Sequence, residues 1–163
     1  MKEIGKYIVY RKDVCKIVGI KKNHINNKDY YLLVPIDDES LRMDVPIDNQ
    51  FGYLRDLISK EEVEKIINRI PEIGIIESSE KMMEYEYKNL LSSGSHEDLV
   101  KIIKTTYLRN KERIDNKKKI SDKDNRYFQL AEKYLYNEFS IVLGLTIEDT
   151  KEYVIDKVII LEK

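Results

Sequence analysis

The sequence predicts an α+β protein in two parts, an antiparallel β unit over residues 1–57 and a helical unit over residues 58–163. Two observations predict it. Between Ile4 and Leu57, short runs rich in Val, Ile, Leu and Tyr recur at hairpin spacing, and after Leu57 the apolar period lengthens to that of a helix. At 163 residues, the chain has room for one domain with a good core or for two small ones.

Four strands are carried by IGKYIVY, VCKIVGIKK, DYYLLVP and LRMDVP, joined through RKD, NHINN and IDDES. Asn26 and Asn27 tolerate left-handed backbone, and Asp37, Asp38, Glu39 and Ser40 form a turn. Leu41, Met43 and Val45 alternate with Arg42 and Asp44, so the fourth strand is covered on one face only. Tyr30 to Val34 is apolar on both faces. A small, strongly bent antiparallel sheet or half-barrel is the economical solution. Pro35 and Pro46 limit where its open edge can pair.

Four to five helices follow. Ser59 with Glu62 opens the first, its stripe is Val63, Ile66, Ile67 and Ile70, and Pro71 ends it. A second runs from about Glu80 to Leu91 and stops at Ser92, Ser93 and Gly94. A third, from His96 to Arg113, carries Leu99, Ile102, Ile103 and Tyr107. Ser121 with Asp124 caps the longest helix, where Tyr127, Leu130, Ala131, Tyr134, Leu135, Ile141 and Val142 make a wide apolar face ending at Gly144. Thr146 with Asp149 starts the last, which offers Val154, Ile155, Val158 and Ile159 to the first.

Charge recommends no partner in total, 29 basic residues against 30 acidic, but its distribution does. From Lys101 to Lys119 stand Lys101, Lys104, Arg109, Lys111, Arg113, Lys117, Lys118 and Lys119 against Glu112 and Asp115. This basic island could follow a phosphate backbone; the plainer reading of Lys117, Lys118 and Lys119 is a solvated loop. The single Cys15 excludes an internal disulfide, no apolar run reaches membrane-spanning length, and Met1 to Tyr10 lacks a signal-peptide core, so a cytoplasmic protein is expected.

Catalytic signals are missing. His24, His96 and Cys15 share no ligand spacing, no phosphate-binding glycine loop occurs, and the SSGS at residues 92–95 reads as a helix break. Asp37, Asp38, Asp122 and Asp124 sit in turns and caps, where carboxylates accept backbone hydrogen bonds. Glu138 falls near the middle of the long helix's apolar face. It reads as a structural clasp bonded to a Lys, Arg or Tyr; the general-acid reading requires a cleft and a second acid. No enzyme, cofactor, metal or small-molecule substrate is expected.

The order of these pieces resembles the CarD/CdnL family of bacterial transcription regulators, whose N-terminal module is shared with the RNA polymerase interacting domain of transcription-repair coupling factor. The resemblance rests on IGKYIVY from Ile4, VCKI from Val14, DYYLL from Asp29, Val45 and Pro46, Leu54 to Asp56, LSSG from Leu91, the helix through Leu99 to Arg113, and AEKYLYNEFSIVL from Ala131. It implies that the first unit is a Tudor-like, strongly bent β barrel of four to five strands that binds the RNA polymerase β subunit, with Lys16, Tyr31, Arg42, Asp44 and Arg55 as contacts. It implies a helical unit that meets upstream promoter double-stranded DNA through phosphates and minor groove, using Lys81, Met82, Met83, Lys88, Lys101, Lys104, Arg109, Lys117, Lys118 and Lys119.

The family's wedge tryptophan, which enters the minor groove and holds the promoter bubble open, aligns at Glu80 or Lys81, followed by Met82 and Met83. The turn after Tyr10 has Arg11, Lys12 and Asp13 where the family usually places a glycine, and Asp44 stands where some members carry an arginine. The implied function is a non-enzymatic regulator of open-complex stability; the alternative is an adaptor that docks on RNA polymerase without a wedge.

Overall fold

The computed structural model describes residues 1–162. The chain divides into two compact units, Met1–Ile58 and Ser59–Lys163. The first contains five antiparallel strands and the second contains five α-helices, an α+β fold in the order the sequence predicts.

The strands are β1 (Tyr7–Tyr10), β2 (Asp13–Ile25), β3 (Lys28–Pro35), β4 (Met43–Pro46) and β5 (Leu54–Arg55), in the spatial order β4-β3-β2-β1-β5. The expected barrel is not closed. Its fifth strand, which the alternation did not mark, has two residues and pairs only with Val9 and Tyr10, so β4 and β5 remain edges. The NHINN segment is mostly strand, because β2 runs on to Ile25. Asn26 and Asn27, at φ 52 and 58, close the hairpin in two residues. Register shifts between Ile17 and Gly19, and between Lys21 and Ile25, bend the ribbon.

One face of the sheet buries Ile8, Cys15, Ile17, Tyr31, Leu33, Val45 and Leu54. Strand register puts Lys16 opposite Val34, Asp44 opposite Leu32 and Arg55 opposite Val9, all on the other face. Cys15 is enclosed, and burial followed by the nearby Asp13 and Asp37 carboxylates pushes its thiol up to about 12.

The helices are α1 (Lys60–Arg69), α2 (Met83–Ser93), α3 (His96–Asp115), α4 (Asp122–Leu143) and α5 (Ile147–Leu161). Ser59, Ser95, Ser121 and Thr146 cap α1, α3, α4 and α5 by accepting the backbone N–H three residues on. Each such cap contributes about 1 kcal/mol. Gly94 and Gly144, both left-handed, end α2 and α4.

The expected docking face of α5 is only partly used: Val154 is buried, but Ile155 is 54% exposed and Ile159 is 48% exposed. Polar groups fasten α5 to α1 instead, with Tyr153 Oη and Lys157 Nζ donating to the two oxygens of Glu64, each at 2.5 Å. Burial pushes the Glu64 carboxyl up, but the hydrogen bonds from Lys157 and Tyr153 outweigh it and hold it below the usual carboxylate range. A carboxyl depressed in this way stabilises the fold above its unfolded pKa and loses that contribution as pH falls through its folded value. Glu64→Gln is expected to lower stability by about 1 kcal/mol at pH 7. In urea unfolding, the gap from wild type should narrow as pH falls from 7 through the carboxylate range; a gap that keeps its size down to acid pH would contradict this.

Candidate functional site

The basic island belongs to a polar network that joins α2, α3 and α4. Asp124, in the first turn of α4, is 0% exposed. It accepts from Tyr87 Oη of α2 at 2.8 Å and from Arg109 Nε of α3 at 2.9 Å. The outer edge of the same guanidinium, Nη2, donates to Glu80 Oε2 at 2.6 Å. Ser121 closes the loop between α3 and α4, its backbone N–H donating to Asn110 Oδ1 at 2.9 Å.

Burial raises the Tyr87 hydroxyl pKa, and its bond to Asp124 raises it further. For Arg109, burial favours loss of the proton, but the bonds to Glu80 and Asp124 prevail and hold the guanidinium charged. Arg109 in turn keeps the Glu80 carboxyl below its ordinary range.

Past Asp115 the chain turns back over the end of α3. Lys118 N–H donates to Arg113 O at 2.8 Å, and Lys117 N–H donates to Ile114 O at 2.9 Å, the pair of bonds that defines a Schellman closure. Lys117, at φ 59, occupies the left-handed position that glycine normally fills. Lys117, Lys118 and Lys119 are exposed loop residues, as the plainer reading has it, and the backbone of Lys117 and Lys118 is fixed to the helix. Beside them lies a cavity of about 210 Å³ lined by Glu80, Arg109, Glu112, Arg113, Asn116 and Lys118.

Several of the predicted DNA contacts also bond within the helical unit. Arg109 pairs with Asp124 and Glu80. Lys104 Nζ donates to Ile70 O at 2.9 Å and Ile73 O at 2.5 Å, satisfying carbonyls just past α1 that would otherwise lack helical partners. Met83 is buried, because the 3-10 turn Glu80–Met82 leads into α2 and turns Met83 inward while Met82 stays exposed. Met83 therefore offers no exposed side chain to a partner, and Lys104 is half-buried. Lys81 is exposed, Lys88 is exposed and 3.5 Å from Glu84, and half-buried Lys101 lines another cavity with Arg69, Glu97 and Asp98.

Glu138 is enclosed, as expected of a clasp, and one of its partners is a histidine, a residue type outside the expected Lys, Arg or Tyr. His96 Nε2, from the first turn of α3, lies 2.7 Å from Glu138 Oε1. The imidazole also stacks beside Phe139, centroids 6.2 Å apart.

In the sheet unit Tyr31 needs the same correction as Met83. It faces the core, and its hydroxyl accepts the backbone N–H of Lys2 at 2.8 Å, so it offers no exposed ring to a partner. Lys16, Arg42 and Arg55 are exposed. Asp44, also exposed, pairs with Lys21 at 3.1 Å and lies 3.3 Å from His24.

An aromatic patch outside the predicted contacts lies beside β5. Phe51, 74% exposed, stacks on Tyr53 at 5.8 Å, and the Arg11 guanidinium lies 4.4 Å from the centre of the Tyr53 ring. Arg11 has φ 58, so the glycine-free RKD turn was the available signal.

No described helix is long and apolar enough to cross a membrane, and among the described residues no group of three or more His, Cys, Asp or Glu side chains is placed to hold a metal ion. No protein-family model matches the chain, and no curated protein matches it.

Left-handed backbone disfavours any residue with a Cβ by about 1–2 kcal/mol. Lys117→Gly is therefore expected to stabilise the helical unit by about 1 kcal/mol, read as a raised midpoint in urea unfolding. A lowered midpoint would show that the lysine side chain holds the turn.

Proposed function

We propose that this chain is a non-enzymatic transcription regulator that docks on the RNA polymerase β subunit through its sheet unit and touches upstream promoter DNA through phosphates only. The resemblance to the CarD/CdnL family supports this reading. Many residues that carry the resemblance in the first unit, among them Ile8, Cys15, Ile17 and Leu33, are core residues of the sheet. They bear on its fold more than on its contacts.

One observation carries the choice between a wedge and phosphate contact. The position that the resemblance gives to the wedge tryptophan holds Glu80 or Lys81, and Glu80 is a carboxylate paired with Arg109. A carboxylate is repelled by the minor groove, and neither side chain has an aromatic face to stack on an unstacked base step. Met83 is buried, which leaves Met82 as the exposed apolar side chain of that segment.

Phosphate contacts in this reading come from Lys81, Lys88, Lys117, Lys118 and Lys119, all exposed. Lysines reading only phosphates give weak, sequence-independent affinity that falls steeply with salt. Polymerase docking then supplies the local concentration that makes such contacts effective. On the sheet unit, Lys16, Arg42 and Arg55 are the exposed cations for that docking, with Asp44 already paired.

The full chain is expected to bind the isolated β-subunit lobe at micromolar concentration, and absence of binding would end this reading. Met82→Ala is expected to leave the lifetime of open promoter complexes unchanged. A marked shortening would restore the wedge.

A further inference from the structure

We propose that the cavity at the end of α3 is a binding site for a phosphoryl anion, built on Arg109 and gated by Glu80, whose carboxylate now takes the place of the anion. The inference deepens the DNA-contact reading above, and its outcome can be separated from that reading.

Four features support it. Arg109 is held from behind: its Nε is fixed on the enclosed Asp124, which is itself held by Tyr87, so the guanidinium plane is set before any ligand arrives. Its outer edge, Nη2, turns toward Glu80, and both residues line the cavity. A guanidinium presented in this way is the group best suited to phosphate oxygens.

Arg113 and Lys118 line the same cavity, and the Schellman closure fixes the Lys118 backbone there. Glu112 is the opposing acid that remains. At about 210 Å³ the cavity has room for a phosphate group and water, each water taking about 30 Å³.

Glu80, finally, is suited to move aside. It stands on a single 3-10 turn, Glu80–Met82, and its side chain is 64% exposed. With its carboxylate side in water, the ion pair is a weak restraint on Glu80. An arriving phosphate would exchange one anion for another on Arg109 while adding Arg113 and Lys118, so the gate lowers affinity without abolishing it.

The test uses the full chain with Glu80→Gln, and with Glu152→Gln, on exposed α5 surface, as the charge control. Inorganic phosphate is titrated while the Arg109 Nε–H resonance is followed by NMR. The Glu80→Gln variant is expected to bind phosphate several-fold more tightly than wild type and the control, and adding Lys118→Gln should reverse the gain. Equal affinity in Glu80→Gln and wild type, or a gain untouched by Lys118→Gln, would overturn the site.

A parallel titration with duplex DNA over a range of salt identifies the source of the phosphoryl group. Tighter duplex binding with a salt slope steeper by about one assigns it to the backbone phosphodiester. A gain for inorganic phosphate alone assigns the site to a free phosphate and overturns its link to DNA. Absence of duplex binding by every variant at low salt would sink the DNA reading itself, and the phosphate titration would still decide the site.

Discussion

The helical unit depends on one carboxylate that water does not reach. Asp124 lies in the first turn of α4, where Ser121 Oγ accepts its backbone N–H and the helix N-terminus favours its charge. Its two oxygens are divided between Tyr87 and Arg109. An enclosed charge without partners would be very costly, and removing one partner from such a set costs about 3–5 kcal/mol. The same side chain therefore ties α2 and α3 to α4 and orients the cation at the basic end of α3. The contacts from α3 to α1 repeat the pattern on a smaller scale: Lys104 closes the carbonyls beyond α1, and Arg69 pairs with Glu97.

Backbone strain falls on two exposed cations, Arg11 and Lys117. Six non-glycine residues among those described have positive φ; four are asparagines, the residue that best tolerates it, and the others are Arg11 and Lys117. Glycine would be easier at either position. Arg11 lies over Tyr53 beside exposed Phe51, and Lys117 begins the basic loop. Strained residues tend to cluster where a side chain is needed for contact, so these positions are better candidates for recognition than cations on relaxed backbone.

Local chemistry was legible in the sequence, and long-range chemistry was not. The caps at Ser59, Ser121 and Thr146, and the stops at Gly94 and Gly144, follow from residue types a few positions apart. Strand alternation identified the sheet but extended the connection at NHINN, because a two-residue asparagine turn lets β2 continue through polar residues. Asp124 reads locally as a capping residue, and nothing in its neighbourhood announces partners 37 and 15 residues away. The Met82 and Met83 pair shows the same limit. Composition makes them equivalent, but the short 3-10 turn before α2 leaves one exposed and buries the other. Glu138 was legible as enclosed, but its histidine partner comes from a different helix, 42 residues away.

The most direct test of this account is amide hydrogen exchange on the full chain carrying Asp124→Asn, which keeps the side chain's shape and removes its charge. The account predicts that residues 83–93, the second half of α3 through residue 118, and the first turns of α4 lose protection together, by roughly a hundredfold, the exchange counterpart of about 3 kcal/mol. Strands β1 to β4 of the sheet unit should exchange as in wild type. Loss confined to the first turn of α4 would show Asp124 to be only a helix cap, and would contradict its role in holding the cationic end of α3.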